Sequence, residues 1–72
     1  MIELHYYNWI THKEEIIQLP KDHITKNAQL NEYINIASYM KEPVDNSYNF
    51  TRRIIDIEYT GNTKKIKISN QT

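Results

Sequence analysis

The stretch Ile55-Asp56-Ile57-Glu58-Tyr59-Thr60-Gly61-Asn62-Thr63-Lys64-Lys65-Ile66-Lys67-Ile68 decides the fold. Gly61-Asn62 reads as the central pair of a two-residue hairpin turn, with glycine supplying the positive φ at the first central position. Thr60 then faces Thr63, Tyr59 faces Lys64, Glu58 faces Lys65, Ile57 faces Ile66, Asp56 faces Lys67 and Ile55 faces Ile68. Both isoleucine pairs share one face and both carboxylate–lysine pairs share the other. A slip of one residue would destroy both patterns together, so the register is strongly specified.

Toward the N-terminus, residues 2–10 alternate: Ile2, Leu4, Tyr6 and Ile10 on one face, with Asn8 as the exception, and Glu3, His5, Tyr7 and Trp9 on the other. A period of two with β-branched and aromatic residues predicts a half-buried strand. The apolar run Ile16–Leu19 reads as its return, with Ile10 near Ile17; the turn has no glycine, which leaves this register open. Between the hairpins, from Thr25 to Lys41, the period changes. Leu30, Tyr33, Ile34, Ile36, Ala37 and Met40 fall in one helical stripe, with Asp22, Thr25 or Asn27 as caps and Pro43 as the stop. Residues 44–49 read as a surface loop with Tyr48 or Phe50 packing at its return. The expectation is an α+β domain spanning residues 1–72, two antiparallel β-hairpins flanking one α-helix (β-β-α-β-β), the helix packed on one face of a small antiparallel sheet. Strand order between the hairpins is not legible.

Composition narrows the function. Seventy-two residues build one domain whose core supplies only ~3–5 kcal/mol net. With no cysteine, disulfides and thiolate metal sites are excluded. His5, His12 and His23 lack the three- or four-residue spacing that places two ligands on one helical turn, so neither metal nor cofactor is expected. Association with another chain is the remaining way to complete so small a fold. Nine basic and nine acidic side chains balance, without the basic excess of a dedicated nucleic-acid binder. The start MIELHYYNWI has no secretory pattern and no stretch reaches the ~18 apolar residues of a membrane helix, so no membrane and a cytoplasmic location are expected.

One glycine, placed at a turn, builds no phosphate-cradling loop, and no local motif hints at a serine or threonine set beside a histidine in space for nucleophilic catalysis, so the chain is not expected to be an enzyme. Tyr7 and Trp9, with His5 beside them, stand on the strand face opposite the apolar one. A single helix leaves one sheet face bare, and Tyr and Trp are the side chains enriched where proteins dock. The expected contact residues are therefore Trp9, Tyr7 and His5, with Arg52 and Arg53 at the rim, and the expected partner is another protein or a second copy of the chain. The abundance of Ile, Asn, Lys and Tyr is what AT-rich coding sequence gives, which extends the expectation to a phage or mobile-element inhibitor or modulator of a host or defence protein. The alternative is a small nucleic-acid-binding accessory protein that stacks bases on the same aromatics and meets phosphates with the arginines.

Overall fold

The computed structural model describes residues 1–40 and 50–70. Five strands, β1 (Ile2–Asn8), β2 (Lys13–Leu19), β3 (Tyr33–Asn35), β4 (Thr51–Thr60) and β5 (Thr63–Ile68), form one mixed sheet in the order β2-β1-β5-β4-β3. The last strand of the chain is therefore the central one. It pairs antiparallel with β4 and parallel with β1, so the two hairpins meet along Ile2↔Lys64, Glu3↔Lys65, Leu4↔Ile66 and His5↔Lys67.

The β4–β5 hairpin follows from its sequence. Gly61 has φ +57°, and Thr60↔Thr63, Tyr59↔Lys64, Glu58↔Lys65, Ile57↔Ile66 and Asp56↔Lys67 are the observed partners. The sixth expected pair differs. A bulge between Ile54 and Asp56 makes Ile54, rather than Ile55, the partner of Ile68. Ile54 is buried and Ile55 is 40% exposed. The extra residue shifts the parity of the strand, so Ile54 takes the inward position that unbroken alternation from Ile57 would have given to Ile55, while Asp56 and Glu58 keep the opposite face.

The β1–β2 hairpin forms in a different register from the expected one: Leu4, not Ile10, lies opposite Ile17, in a ladder running from Ile2↔Leu19 to Asn8↔Lys13. The cause is Asn8. Its Oδ1 accepts hydrogen bonds from the backbone N–H of Ile10 at 3.0 Å and of Thr11 at 3.4 Å, which curls the chain out of the strand. His12 completes the turn with φ 58°.

The expected helix over 25–41 is not there, and with it the α+β class is overturned: the fold is a small, mostly β, five-stranded mixed sheet, with only two 3₁₀ turns, Ile24–Asn27 and Ile36–Tyr39, among the described residues. The asparagines explain the loss. Asn31 sits in the left-handed region at φ 72°, and the Asn35 side chain accepts from Ala37 N–H to start the second 3₁₀ turn. Side chains that bond their own backbone compete with helix, and asparagine does so readily. In place of a helix the chain runs along β4: Asn31 N–H donates to Ile54 O, Ile54 N–H donates to Glu32 O, and β3 pairs Tyr33↔Arg53 through Asn35↔Thr51. Of the supposed apolar stripe only Ile36 is buried, while Leu30 is 53% and Tyr33 69% exposed. The loop expected over 44–49, with Tyr48, lies outside the described residues; Phe50 is buried.

The core lies on one face of the sheet. Ile2, Leu4 and Tyr6 of β1, Ile54 of β4, and Ile66 and Ile68 of β5 pack beneath Ile36 and Phe50. Lys64 points to the same side and is 7% exposed. Its ammonium donates to the backbone carbonyls of Thr25 (3.3 Å), Lys26 (2.8 Å) and Ala28 (2.8 Å), which ties the first 3₁₀ turn down onto β5.

Truncating Ile66, which is fully buried, to alanine should cost about 2–5 kcal/mol, close to the whole stability of such a domain. Ile24→Ala, at a 76% exposed position, should stay within ~0.5 kcal/mol of the parent. Thermal melts of the two variants measure the contrast.

Candidate functional site

Because the core and the 3₁₀ turns occupy one face, the other face of the sheet is bare among the described residues. The observed pairings lay its side chains in rows. Gln18 of β2, Glu3 of β1, Lys65 of β5 and Glu58 of β4 form one; Ile16, His5, Lys67 and Asp56 form the next. Tyr7 stands opposite Glu14 one step further along β1. Each lysine thus lies between carboxylates or beside His5, and the field of the basic residues is cancelled row by row. His5 Nε2 is 3.0 Å from Glu3 Oε1, with the two side chains 34% and 18% exposed.

This face is dished. A shallow concavity of about 720 Å³ runs across β2, β1, β5 and β4, and its margins include His5, Tyr7, Ile16, Ile55 and Lys67. Its β2–β1 corner carries Tyr7, His5 and Ile16, the last 55% exposed, with Glu14 opposite Tyr7; its β5–β4 side carries Lys65, Lys67, Asp56 and Glu58. One sheet surface therefore combines an aromatic–aliphatic corner with an ordered charge pattern.

No family model, curated protein or solved structure matches this chain.

Of the five residues expected at the contact surface, the structure gathers His5 and Tyr7 on the bare face. Arg53, exposed and opposite Tyr33, alternates with buried Arg52 and Ile54 and so lies on the same side two strands away. Trp9 and Arg52 are elsewhere. β1 stops at Asn8, so the alternation does not carry Trp9 forward; its ring stacks on Phe50 at 5.7 Å and packs against the core. Arg52 is 5% exposed, its Nη1 donates to Thr51 O at 2.9 Å, and burial pulls its pKa down. Of the other histidines, His12 lies in the exposed turn, while His23 Nδ1 accepts from Thr25 N–H and its ring meets Tyr39 edge-on at 5.0 Å. Ile16 and Ile55 were missed as surface residues. The signal was in the chain for both: Ile16-Ile17 and Ile54-Ile55 are adjacent apolar pairs, and in a strand only one of two neighbours can face a single core.

Glu15 anchors the corner from below. Its Oε1 accepts from Tyr6 Oη at 2.7 Å and Asn8 Nδ2 at 3.1 Å, and Oε2 accepts from Thr11 Oγ1 at 3.3 Å. The Tyr6 hydroxyl, then Asn8, hold its pKa below the ordinary 4.5. A carboxylate whose folded pKa is depressed favours the fold while ionised, so its contribution is complete above pH 4.5 and fades as pH falls through the folded value. Stability should therefore drop on acidification below pH 4.5, and Glu15→Gln should flatten that part of the profile while costing about 1 kcal/mol at neutral pH. Urea melts from about pH 2.5 to about pH 7 read both effects.

Proposed function

We propose that this chain is a protein-binding module, working by docking rather than catalysis, whose contact surface is the bare face of the sheet. One observation carries the reading: the core and both 3₁₀ turns cover a single side, while His5, Tyr7 and Ile16 line a broad concavity on the other. The β1–β5 pair adds support. Parallel strands normally lie buried on both faces, and here the outer side of the only parallel pair among the described residues is open. The partner that suits the surface is a folded protein offering an apolar side chain to the Tyr7–His5–Ile16 corner and alternating charges to the Lys65–Glu58 and Lys67–Asp56 rows. The finer setting, a stoichiometric inhibitor of a host or defence protein carried by a phage or mobile element, rests on composition alone.

The arrangement weighs against the nucleic-acid alternative. Lys65 and Lys67 stand beside Glu58 and Asp56, Trp9 is stacked on Phe50, and Tyr7 is left as the aromatic on the bare face nearest the lysines. A phosphate backbone seeks uncompensated positive charge, which these rows do not offer.

Affinity capture from lysate of the source cells, with and without nuclease, should retain a stoichiometric protein. Tyr7→Ala should weaken that binding by about 2 kcal/mol and leave the melting curve nearly unchanged. Trp9→Ala should do the reverse, costing roughly 2–4 kcal/mol of stability through its contact with Phe50. Affinity should depend weakly on salt. Captured nucleic acid, or a steep linear loss of affinity with log salt, would contradict the proposal.

A further inference from the structure

We infer that β2 is a pairing edge for a second copy of this chain, joined antiparallel about Ile16 so that two five-stranded sheets become one. The two edges of the sheet are unequal. β3 has three residues, whereas β2 has seven, Lys13–Leu19, with no proline and no bulge, and it pairs with β1 alone among the described residues. A long edge strand of unbroken register is a template for another strand, and proteins that remain monomeric shorten, kink, charge or cover such edges; the charges of β2, Lys13, Glu14 and Glu15, sit in its first half and leave Ile16–Leu19 uncharged. Ile16, at the middle of β2 and 55% exposed, borders the concavity on the bare face and also a second one of about 660 Å³ on the other side of the strand. Among the described residues the edge is thus open from both sides.

The sequence of β2 selects the occupant, because it is complementary to itself. A twofold axis perpendicular to the sheet keeps the covered faces together and requires that like-parity residues oppose one another. Centred on Ile16, all seven residues find partners: Lys13 faces Leu19, Glu14 faces Gln18, Glu15 faces Ile17, and Ile16 meets its own counterpart. No like charges stand directly opposed. Centring the pair on Glu15 would set two carboxylates against each other, and centring it on Ile17 would bring Glu14 against Pro20, which has no N–H to give. Glu15 lies diagonal to its counterpart in the favoured register, but its Oε1 is turned back onto Tyr6 and Asn8 of its own hairpin.

A seven-residue strand spans ~23 Å, and pairing along one edge falls among small interfaces below ~1,200 Å², so the dimer should be reversible and micromolar. Its consequence is a doubled surface: Ile16 is the cross-strand neighbour of His5, so both copies of the His5–Ile16 corner meet at the axis on the bare face. The pairing stands on the edge and not on the docking proposed for the face, and each is tested without the other.

The chain has no cysteine, which permits a clean test. Purified protein is examined by analytical ultracentrifugation from about 1 μM to 1 mM, the range in which so small an interface dissociates. Single-cysteine variants Ile16→Cys and Gln18→Cys are oxidised in parallel by dissolved oxygen with a copper catalyst. The inference predicts a concentration-dependent dimer, weakened roughly tenfold or more by Ile16→Lys. It also predicts disulfide-linked dimers from Ile16→Cys, because residue 16 faces itself, and few from Gln18→Cys, because residue 18 faces Glu14. A monomer throughout, a dimer indifferent to Ile16→Lys, or equal cross-linking of the two cysteine variants would overturn it. Should Ile16→Lys fail to fold by circular dichroism, the cysteine pair decides alone.

Discussion

The rest of the structure depends on how Lys64 is buried. A desolvated ammonium is costly unless its donors are satisfied, and this one has three donors and three backbone carbonyls, of Thr25, Lys26 and Ala28, around it. The Tyr59 ring adds a flank, with its centroid 6.0 Å from the nitrogen. Because Lys64 projects from the central strand on the same side as Ile66 and Ile68, satisfying it brings the first 3₁₀ turn over that side. Lys64 N–H also donates to Met1 O, and Asn62 O accepts from the terminal amine, so the same strand end holds the start of β1. One side chain therefore helps to select which face the chain covers and which it leaves bare.

Legibility in the sequence followed the strength of local pattern. The β4–β5 hairpin could be read because turn chemistry, isoleucine pairing and charge pairing all demand one register, and five of its six expected pairs are observed. The sixth failed at a bulge, where Ile54 and Ile55 are both apolar and the period of two cannot say which turns inward. The expected helix does not form because Asn31 and Asn35, through their side chains and left-handed tolerance, outweigh six apolar residues at helical spacing and break the segment into β3 and 3₁₀ turns. Strand order was hidden because no local signal reports that β5 inserts between β1 and β4. The burial of Lys64 was hidden too, since a lysine facing Tyr59 reads as surface until the carbonyls of residues 25–28 are placed.

The surface was half legible. Alternation put His5 and Tyr7 on the bare face because they lie inside β1, where the pleat guarantees it. It misplaced Trp9 because Asn8 ends the strand one residue earlier, and the indole then follows the turn onto Phe50. Arg52, expected at the rim, is buried beside Ile54, since parity along β4 depends on where the bulge falls. The result is a surface without the Trp9 indole, on which His5 and Tyr7 stand beside rows of paired charges.

The most direct test of this picture is amide hydrogen exchange, read by NMR, on the parent and on Lys64→Met. The Lys26 and Ala28 amides, which bond His23 O and Thr25 O within the first 3₁₀ turn, are the reporters. If Lys64 clamps the turn to the sheet, their protection should fall by about tenfold or more relative to the amides of β1 and β5. Unchanged protection at Lys26 and Ala28 would show that the turn holds its place without the ammonium, and would contradict the role given to Lys64 in choosing the covered face.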